Sequence, residues 1–330
     1  MVDNTSNQTQ IEDFVYSLAT SPSFVQDGIC FAARRSGLYQ SSDGGLTWRF
    51  AYESLQPDPA APLTTTAVAI SPDFETDSSV FAGVAGGILR SVDGGKTWNA
   101  ALLGSPPPLV SALAISPSFA HDGTLFAATM EDGVFRSADR GGRWVAWNFG
   151  LLDLNILCLA ISPDFATDET LFVGTESGMF RSTNGGRAWR EVDFPTELAP
   201  VLSIALSPGR AFGRDSDDPE GNSTALFAGT ENFGLFYSEN AGCTWEHLDQ
   251  DRAADTVNAI ILSPEFPAKP DVLAMLSDAL IVSRDGGRSW SDWQADLPVE
   301  RGLASVAAPQ GLDPGASLLV GLVDGKVLRI

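Results

Sequence analysis

One repeat runs the length of this 330-residue chain, and it limits the fold more than any other feature. Ser-Pro in an apolar context begins at Ser21, Ser71, Ser116, Ser162, Ser207 and Ser263, and Ala308-Pro309 takes the seventh place. The steps are 50, 45, 46, 45, 56 and 45 residues. Before each corner lies an alternating run such as Thr66-Ala67-Val68-Ala69-Ile70, the period-two pattern of a strand with one buried face. After it comes a short apolar strand, as in Val80-Phe81-Ala82-Gly83, Leu125-Phe126-Ala127-Ala128 and Leu171-Phe172-Val173-Gly174. A Gly-containing turn then leads to a third strand, as in Gly133-Val134-Phe135-Arg136.

Each third strand runs into a box of the form Ser-x-Asp-x-Gly-x-Thr-Trp. The boxes are Ser41-Asp43-Gly45-Thr47-Trp48, Ser91-Asp93-Gly95-Thr97-Trp98, Ser137-Asp139-Gly141-Arg143-Trp144, Ser182-Asn184-Gly186-Ala188-Trp189, Ser238-Asn240-Gly242-Thr244-Trp245 and Ser283-Asp285-Gly287-Ser289-Trp290. The Asp or Asn accepts hydrogen bonds from nearby amides, Gly supplies backbone angles that a Cβ forbids, and Trp is an apolar wedge. The box is therefore a hairpin corner between third and fourth strands. Four strands in each unit of about 45 residues, repeated around a ring, describe a β-propeller.

The expected fold is all-β: a seven-bladed β-propeller of four-stranded antiparallel blades forming one domain over 1–330. Approximate units are 12–58, 59–104, 105–151, 152–196, 197–250, 251–298 and 299–330. The chain stops where a seventh box would begin, so residues 1–11 are the expected donor of the last blade's missing strand, closing the ring and covering sheet edges.

The boxes and their spacing resemble the Asp-box, or BNR-repeat, propellers. These include sialidases, sortilin-type receptors, xyloglucanase-type glycoside hydrolases and photosystem II assembly factors of the Ycf48/Hcf136 type. The resemblance covers essentially the whole chain and implies the fold; its members differ widely in function.

A sialidase-like site would need converging arginines, a Tyr nucleophile and a Glu beside it. Arg90, Arg136, Arg181 and Arg329 each fall just before a box Ser, real or expected, which is a repeated structural position. Tyr39 aligns with Phe135 and Phe180, and Tyr237 takes the repeated Arg place. The xyloglucanase-type enzymes hold substrate between two propellers and use a carboxylate pair, whereas this chain holds one propeller. Trp147 and Trp293 invite sugar stacking, but each lies three residues after a box Trp, where other units have Ala51, Ala101, Val192 and Leu248. With only His121 and His247, no Ser–His–Asp arrangement can be argued. The assembly factors present a basic patch, while here Arg34-Arg35 is the sole adjacent arginine pair.

Composition narrows the partners. Twenty basic and 42 acidic residues leave a net charge of −22, which opposes binding to nucleic acid or to anionic membrane surfaces. No apolar run is long enough for a membrane-spanning helix. With Met1 as the native start, the expected location is cytoplasmic. Cys30, Cys158 and Cys243 are isolated and suggest neither zinc nor a disulfide framework.

In a propeller the corners and boxes share one face, and the blade-joining loops share the other with the turns between second and third strands. On the first face Asp27, Asp77, Asp122 and Asp168 each lie six residues after a corner Ser. They read as turn-forming Asp, with a cation-binding ring as the other reading. An insertion at 210–222 carries Asp215, Asp217, Asp218 and Glu220, which lack EF-hand spacing and read as a solvated loop, with a weak calcium site as the alternative. No cofactor is expected.

On the second face the loops 52–64, 101–110, 148–155, 193–200, 249–256 and 296–301 vary in length and content. Here the candidate partner-binding residues are Arg34, Arg35, Tyr52, Glu131, Phe149, Glu176, Phe194 and Phe233. Phe149, Leu151, Leu152, Phe194 and Phe233 either form an apolar patch for a partner or pack beneath the loops. The expected function is a non-catalytic protein-interaction scaffold within a larger assembly. The alternative is a carbohydrate-binding or glycoside-hydrolase-related propeller.

Overall fold

The structure, a computed structural model, describes residues 12–58, 61–104, 106–196, 199–208, 224–248, 256–294 and 302–330. Seven antiparallel sheets stand in a ring, each made from consecutive strands in simple up-and-down order. Blade 4 is representative: Ile156–Ile161, Leu171–Thr175, Met179–Ser182 and Arg190–Glu191. The seventh blade shows three strands among the described residues, Leu303–Ala307, Leu319–Leu322 and Val327–Arg329. The expected closing strand at 1–11 and the acidic insertion at 210–222 lie outside the described residues. The ring nevertheless meets across blades 7 and 1, where Ser305 Oγ donates to the Val15 carbonyl at 2.9 Å.

Each first strand turns into a corner built on the Ser-Pro pair. In the first four blades one helical turn follows: Phe24–Asp27, Phe74–Asp77, Phe119–Asp122 and Phe165–Asp168. The corner Ser donates to the Asp six residues later, at 2.6 Å for Ser21–Asp27 and 2.8 Å for Ser71–Asp77. The same Asp accepts the amide two residues on, as Asp122 does from Thr124 at 2.8 Å. These carboxylates lock turns, which is the plainer of the two sequence readings.

The boxes behave as their chemistry predicts. Ser41 Oγ donates to Asp43 at 2.7 Å and accepts the Gly45 amide at 2.9 Å. Asp43 takes the Leu46 amide at 3.0 Å and the Thr47 amide at 2.9 Å. Asn184 and Asn240 keep this last contact, to the Ala188 and Thr244 amides, because it needs only one side-chain oxygen. Every such box leans on its own blade's corner: Gly44 donates to the Gly28 carbonyl, Gly94 to Ser78 and Gly185 to Glu169. Corners and boxes therefore share one face.

Neighbouring blades lock through the same boxes. A Cβ on Gly95 would lie 2.8 Å from the Phe31 ring of the preceding blade, and one on Gly141 would lie 2.7 Å from Phe81. Both glycines have φ near +85°, where a side chain is strained anyway. The box Trp adds a polar tie: Trp98 Nε1 donates to the Ala51 carbonyl at 2.9 Å, and Trp189 Nε1 to the Trp147 carbonyl at 2.8 Å. Deeper in the ring, Gly83, Gly174, Gly229 and Gly321 admit Val110, Val201, Val257 and Val15 of the next blade.

Trp98 is almost fully buried, so Trp98→Ala removes a large apolar contact and strands the Ala51 carbonyl. We expect a loss of about 3–5 kcal/mol in chemical denaturation; an unchanged midpoint would show that the box Trp does not hold the blades together. The box carboxylates also set an acid limit. Hydrogen bonds from the Thr47 side chain and amide and from Ser41 hold Asp43 down to about 2. Burial pushes Asp93 up, but bonds from Thr97, Ser91 and Lys96 outweigh it and leave it also at about 2. Folded values below the unfolded value of about 4 mean stability that is present above pH 4 and lost as pH falls toward 2. Asp93→Asn, a residue two boxes already use, should make the fall in melting temperature across that window shallower, with Asp43, Asp139 and Asp285 supplying the rest. An acid limb as steep as wild type would contradict the assignment.

Candidate functional site on the loop face

The opposite face is organised by the loop joining blades 3 and 4. Asn148 caps its start: its Oδ1 accepts the Val134 amide and its Nδ2 donates to the Asp132 carbonyl, each at 2.8 Å. Asp153 accepts the Asn155 amide at 2.9 Å and, from the blade 4 turn, the Ser177 amide at 3.0 Å and hydroxyl at 2.8 Å. Asn155 Oδ1 accepts the Glu131 amide at 3.0 Å from the blade 3 turn, and its Nδ2 reaches Glu176 at 3.4 Å. One Asp-x-Asn unit thus staples two blades' turns together. Burial pushes the Asp153 carboxyl up, but the bonds from Asn155, Ser177 and Thr175 outweigh it and hold it below the usual carboxylate range.

This rigid loop presents apolar side chains to solvent. Phe149 is 81% exposed and Leu152 80%, while Leu151 between them is buried. Phe149 also passes its carbonyl to the Trp189 amide at 2.9 Å, which fixes it at the outer edge of blade 4. Phe233 is 45% exposed on the blade 5 turn, where its carbonyl lies 2.8 Å from His247 Nε2. The two alternatives for the apolar loop residues therefore divide: Phe149, Leu152 and Phe233 face outward, whereas Leu151 packs inward.

Three candidates require correction. Tyr52 is fully buried, with its hydroxyl 2.9 Å from Thr65 Oγ1, and burial pushes its phenol up. It is a core residue and cannot meet a partner. Phe194 is half-buried, edge-on to Phe236 and Trp245 with centroids 4.9 Å from each. Its ring belongs mainly to the packing of blade 5. Arg34 lies within its strand, its guanidinium 4.5 Å from the centre of the Tyr39 ring, and burial pulls its value down. Arg35 is exposed, so the pair does not form a basic patch. Glu131 and Glu176 are exposed, and both are brought to Asn155.

Sequence reasoning missed Asp153 and Asn155, although the Asp-x-Asn spacing of an Asx turn was a readable signal. It also missed a cleft of about 680 Å³ beside blade 4, lined by Ser177, Met179, Glu191, Val192, Asp193 and Phe194. Among the described residues, no group of three or more His, Cys, Asp or Glu side chains is placed to hold a metal ion. No described helix is long and apolar enough to cross a membrane.

The architecture places the chain among seven-bladed propellers that pack box-bearing blades into a ring. No family model and no curated protein matches it. Solved structures do. A Ycf48 bound to a D1 peptide superposes with a TM-score of 0.70 at 16% identity, over 97% of this chain and 94% of that one. A xyloglucanase from Xanthomonas campestris gives 0.68 at 18% identity, over 97% of this chain and 52% of the enzyme. The extracellular domain of a one-component system from B. thetaiotaomicron gives 0.68 at 14% identity, over 96% of this chain and 38% of that one. This chain therefore spans about half or less of the last two, and at such identities the likeness is one of fold.

The staple yields its own test. Asp153→Ala should leave the ring folded, costing about 1–2 kcal/mol, while amide exchange quickens at Ser177. Exchange at wild-type rates would mean that the loop is held by other contacts.

Proposed function

We propose that this propeller is a non-catalytic scaffold that binds a partner protein through its loop face. The observation that carries this reading is the pairing of exposure with rigidity around 148–155. Phe149 and Leu152 stand in solvent on a backbone pinned by Asn148, Asp153 and Asn155. Ordering a flexible loop costs free energy on binding, and a loop already fixed avoids most of that cost. Exposed apolar groups on a fixed frame are the kind of anchor a protein surface buries. The box face offers less freedom, because its Asp and Gly positions are committed to turns. The Ycf48 structure solved with a D1 peptide supports a polypeptide ligand for a single propeller of this length.

The test is a quantitative pull-down from the native host with mass spectrometry, followed by titration of the recovered partner. Phe149→Asp combined with Leu152→Asp should weaken binding by about thirtyfold or more, an interface hot-spot effect of roughly 2 kcal/mol. Leu46→Asp is the control, since the Leu46 side chain is 70% exposed on the box face and only its backbone amide takes part in the turn. Asp77 and Asp122 are unsuitable controls, because both lock corners. Loss of the partner in the control but not in the loop variant would reverse the assignment of faces. Recovery of glycans rather than protein would favour the carbohydrate-binding alternative.

A further inference from the structure

At several joints the last residue of the third strand, the place before the box Ser, reaches across to the box of the next blade. Gln40 Nε2 donates to the Gly94 carbonyl at 3.1 Å. Arg90 passes 3.7 Å from a Cβ placed on Gly141, and a Cβ on Gly44 would meet Arg329 Nη1 at 2.6 Å. At the joint between blades 3 and 4, Arg136 lies over the Trp147 ring at 4.3 Å and over Phe126 at 5.9 Å. Arg187 of blade 4 covers the same Trp147 ring at 5.5 Å, so two guanidinium groups share this joint. Glu169 and Asp122 supply charge of the opposite sign.

The joint between blades 5 and 6 has the same plan with two positions changed. Tyr237 stands in the place of Arg136, and Leu248 in the place of Trp147. Phe227 and Arg288 occupy the places of Phe126 and Arg187. Tyr237 folds back on its own blade, its ring 4.8 Å from that of Phe227. Compared with the joint between blades 3 and 4, this one lacks one guanidinium and the indole. What opens there is a cleft of about 610 Å³, lined by Tyr237, Leu248 and Phe266 and by the charged Glu239, Glu246, Asp285, Arg284 and Arg288. Glu239 and Glu246 are exposed at its wall, and Glu246 stands directly opposite Tyr237 in the strand pairing.

We infer that this cleft binds an arginine side chain presented by another protein. The molecule itself shows a related environment: at the equivalent joint Arg136 lies over aromatic rings at 4.3 and 5.9 Å, with carboxylates near its charge. Tyr237 offers a half-buried ring, and Glu239 and Glu246 the exposed carboxylates, which suit a planar guanidinium better than a compact ammonium. Of the two arginines that line the cleft, Arg284 is paired to Asp271 at 2.9 Å, and an added guanidinium beside Arg288 has its precedent in Arg136 beside Arg187. The partner is a different protein, since a net charge of −22 sets two copies of this chain against each other. The cleft runs from the blade 6 box to His247, whose ring meets the Phe233 turn, and it is separate from the 148–155 loop that carries the function proposed above, so the two stand or fall independently.

The experiment uses the full chain labelled at its four tyrosine and two histidine rings, because Tyr237 and His247 both line the cleft. The probe is N-acetyl-arginine amide, followed by NMR. We expect saturable shifts at Tyr237 and His247 with a dissociation constant of about 1–10 mM, the scale of one desolvated side chain. The lysine analogue should bind at least about threefold more weakly. Tyr237→Arg returns the repeat's own residue to the joint and should abolish the His247 response. Glu239→Gln with Glu246→Gln, a surface change that leaves packing alone, should weaken binding about tenfold. Shifts that fail to saturate by about 50 mM would overturn the inference on the same affinity scale. So would equal affinity for the lysine analogue, an undiminished response in Tyr237→Arg, or unchanged affinity in the double Gln variant.

Discussion

The ring depends on one contact that recurs at five of its joints: a box glycine seated on the large apolar residue of the preceding blade's second strand. Gly95 on Phe31, Gly141 on Phe81 and Gly287 near Phe227 are instances, and Leu319 takes the Phe role beneath Gly45 where blade 7 meets blade 1. A flat sheet buries little by itself, so each blade must press a whole face against its neighbour. The box makes that approach possible. Its serine and Asp or Asn satisfy the turn's amides locally, leaving a glycine backbone free to lie against an aromatic ring. The Trp then closes the joint with both its bulk and, at Trp98 and Trp189, its N–H.

That constraint divides the labour between the two faces. On the box side, side chains that look chemically active in the sequence are consumed by geometry: corner Asp holds corner Ser, and box Asp or Asn holds amides. The pre-box arginines belong to the joints, where their charge is spread over rings. On the loop side, the bonds from the Ser177 amide and hydroxyl to Asp153 have a counterpart in blade 1, where Asp13 accepts the Ser36 amide at 2.8 Å and its hydroxyl at 2.9 Å. The loop joining blades 3 and 4 combines such a staple with apolar side chains, Phe149 and Leu152, left outside.

Most of the fold was legible in the sequence because each blade repeats the same solution, and a pattern seen six times cannot be mistaken for a chance motif. Legibility failed where one blade departs from the others in a compensated way. Tyr52 stands in a stretch that is polar or exposed in several blades, such as Asn148 and Asp193, and so read as a surface residue. The compensation lies at Thr65, which replaces the Val15, Ile156 or Val201 of other blades and offers a hydroxyl to the buried phenol. Arg34 misled because adjacency to Arg35 suggested a turn, whereas the strand runs to Arg34 and carries it over Tyr39. Both errors turn on a partner residue, Thr65 for Tyr52 and Tyr39 for Arg34, which no single-position reading of a repeat detects.

Departure from the repeat therefore has two distinct physical meanings. Where the varying residue faces solvent, variation costs nothing structurally and the loop is open to acquire a binding role, as at 148–155. Where it faces a joint, variation must either be filled by a partner change or leave space. Tyr52 with Thr65 is the filled case, a polar pair added together. Tyr237 is the opposite case: it takes the repeated arginine place but turns back onto Phe227, and a cleft stands at the blade 5–6 joint. Empty volume between packed blades forfeits dispersion contacts on every wall that lines it. A joint that gives up that attraction while placing two carboxylates at its wall has exchanged part of its internal packing for a surface that an external side chain can complete.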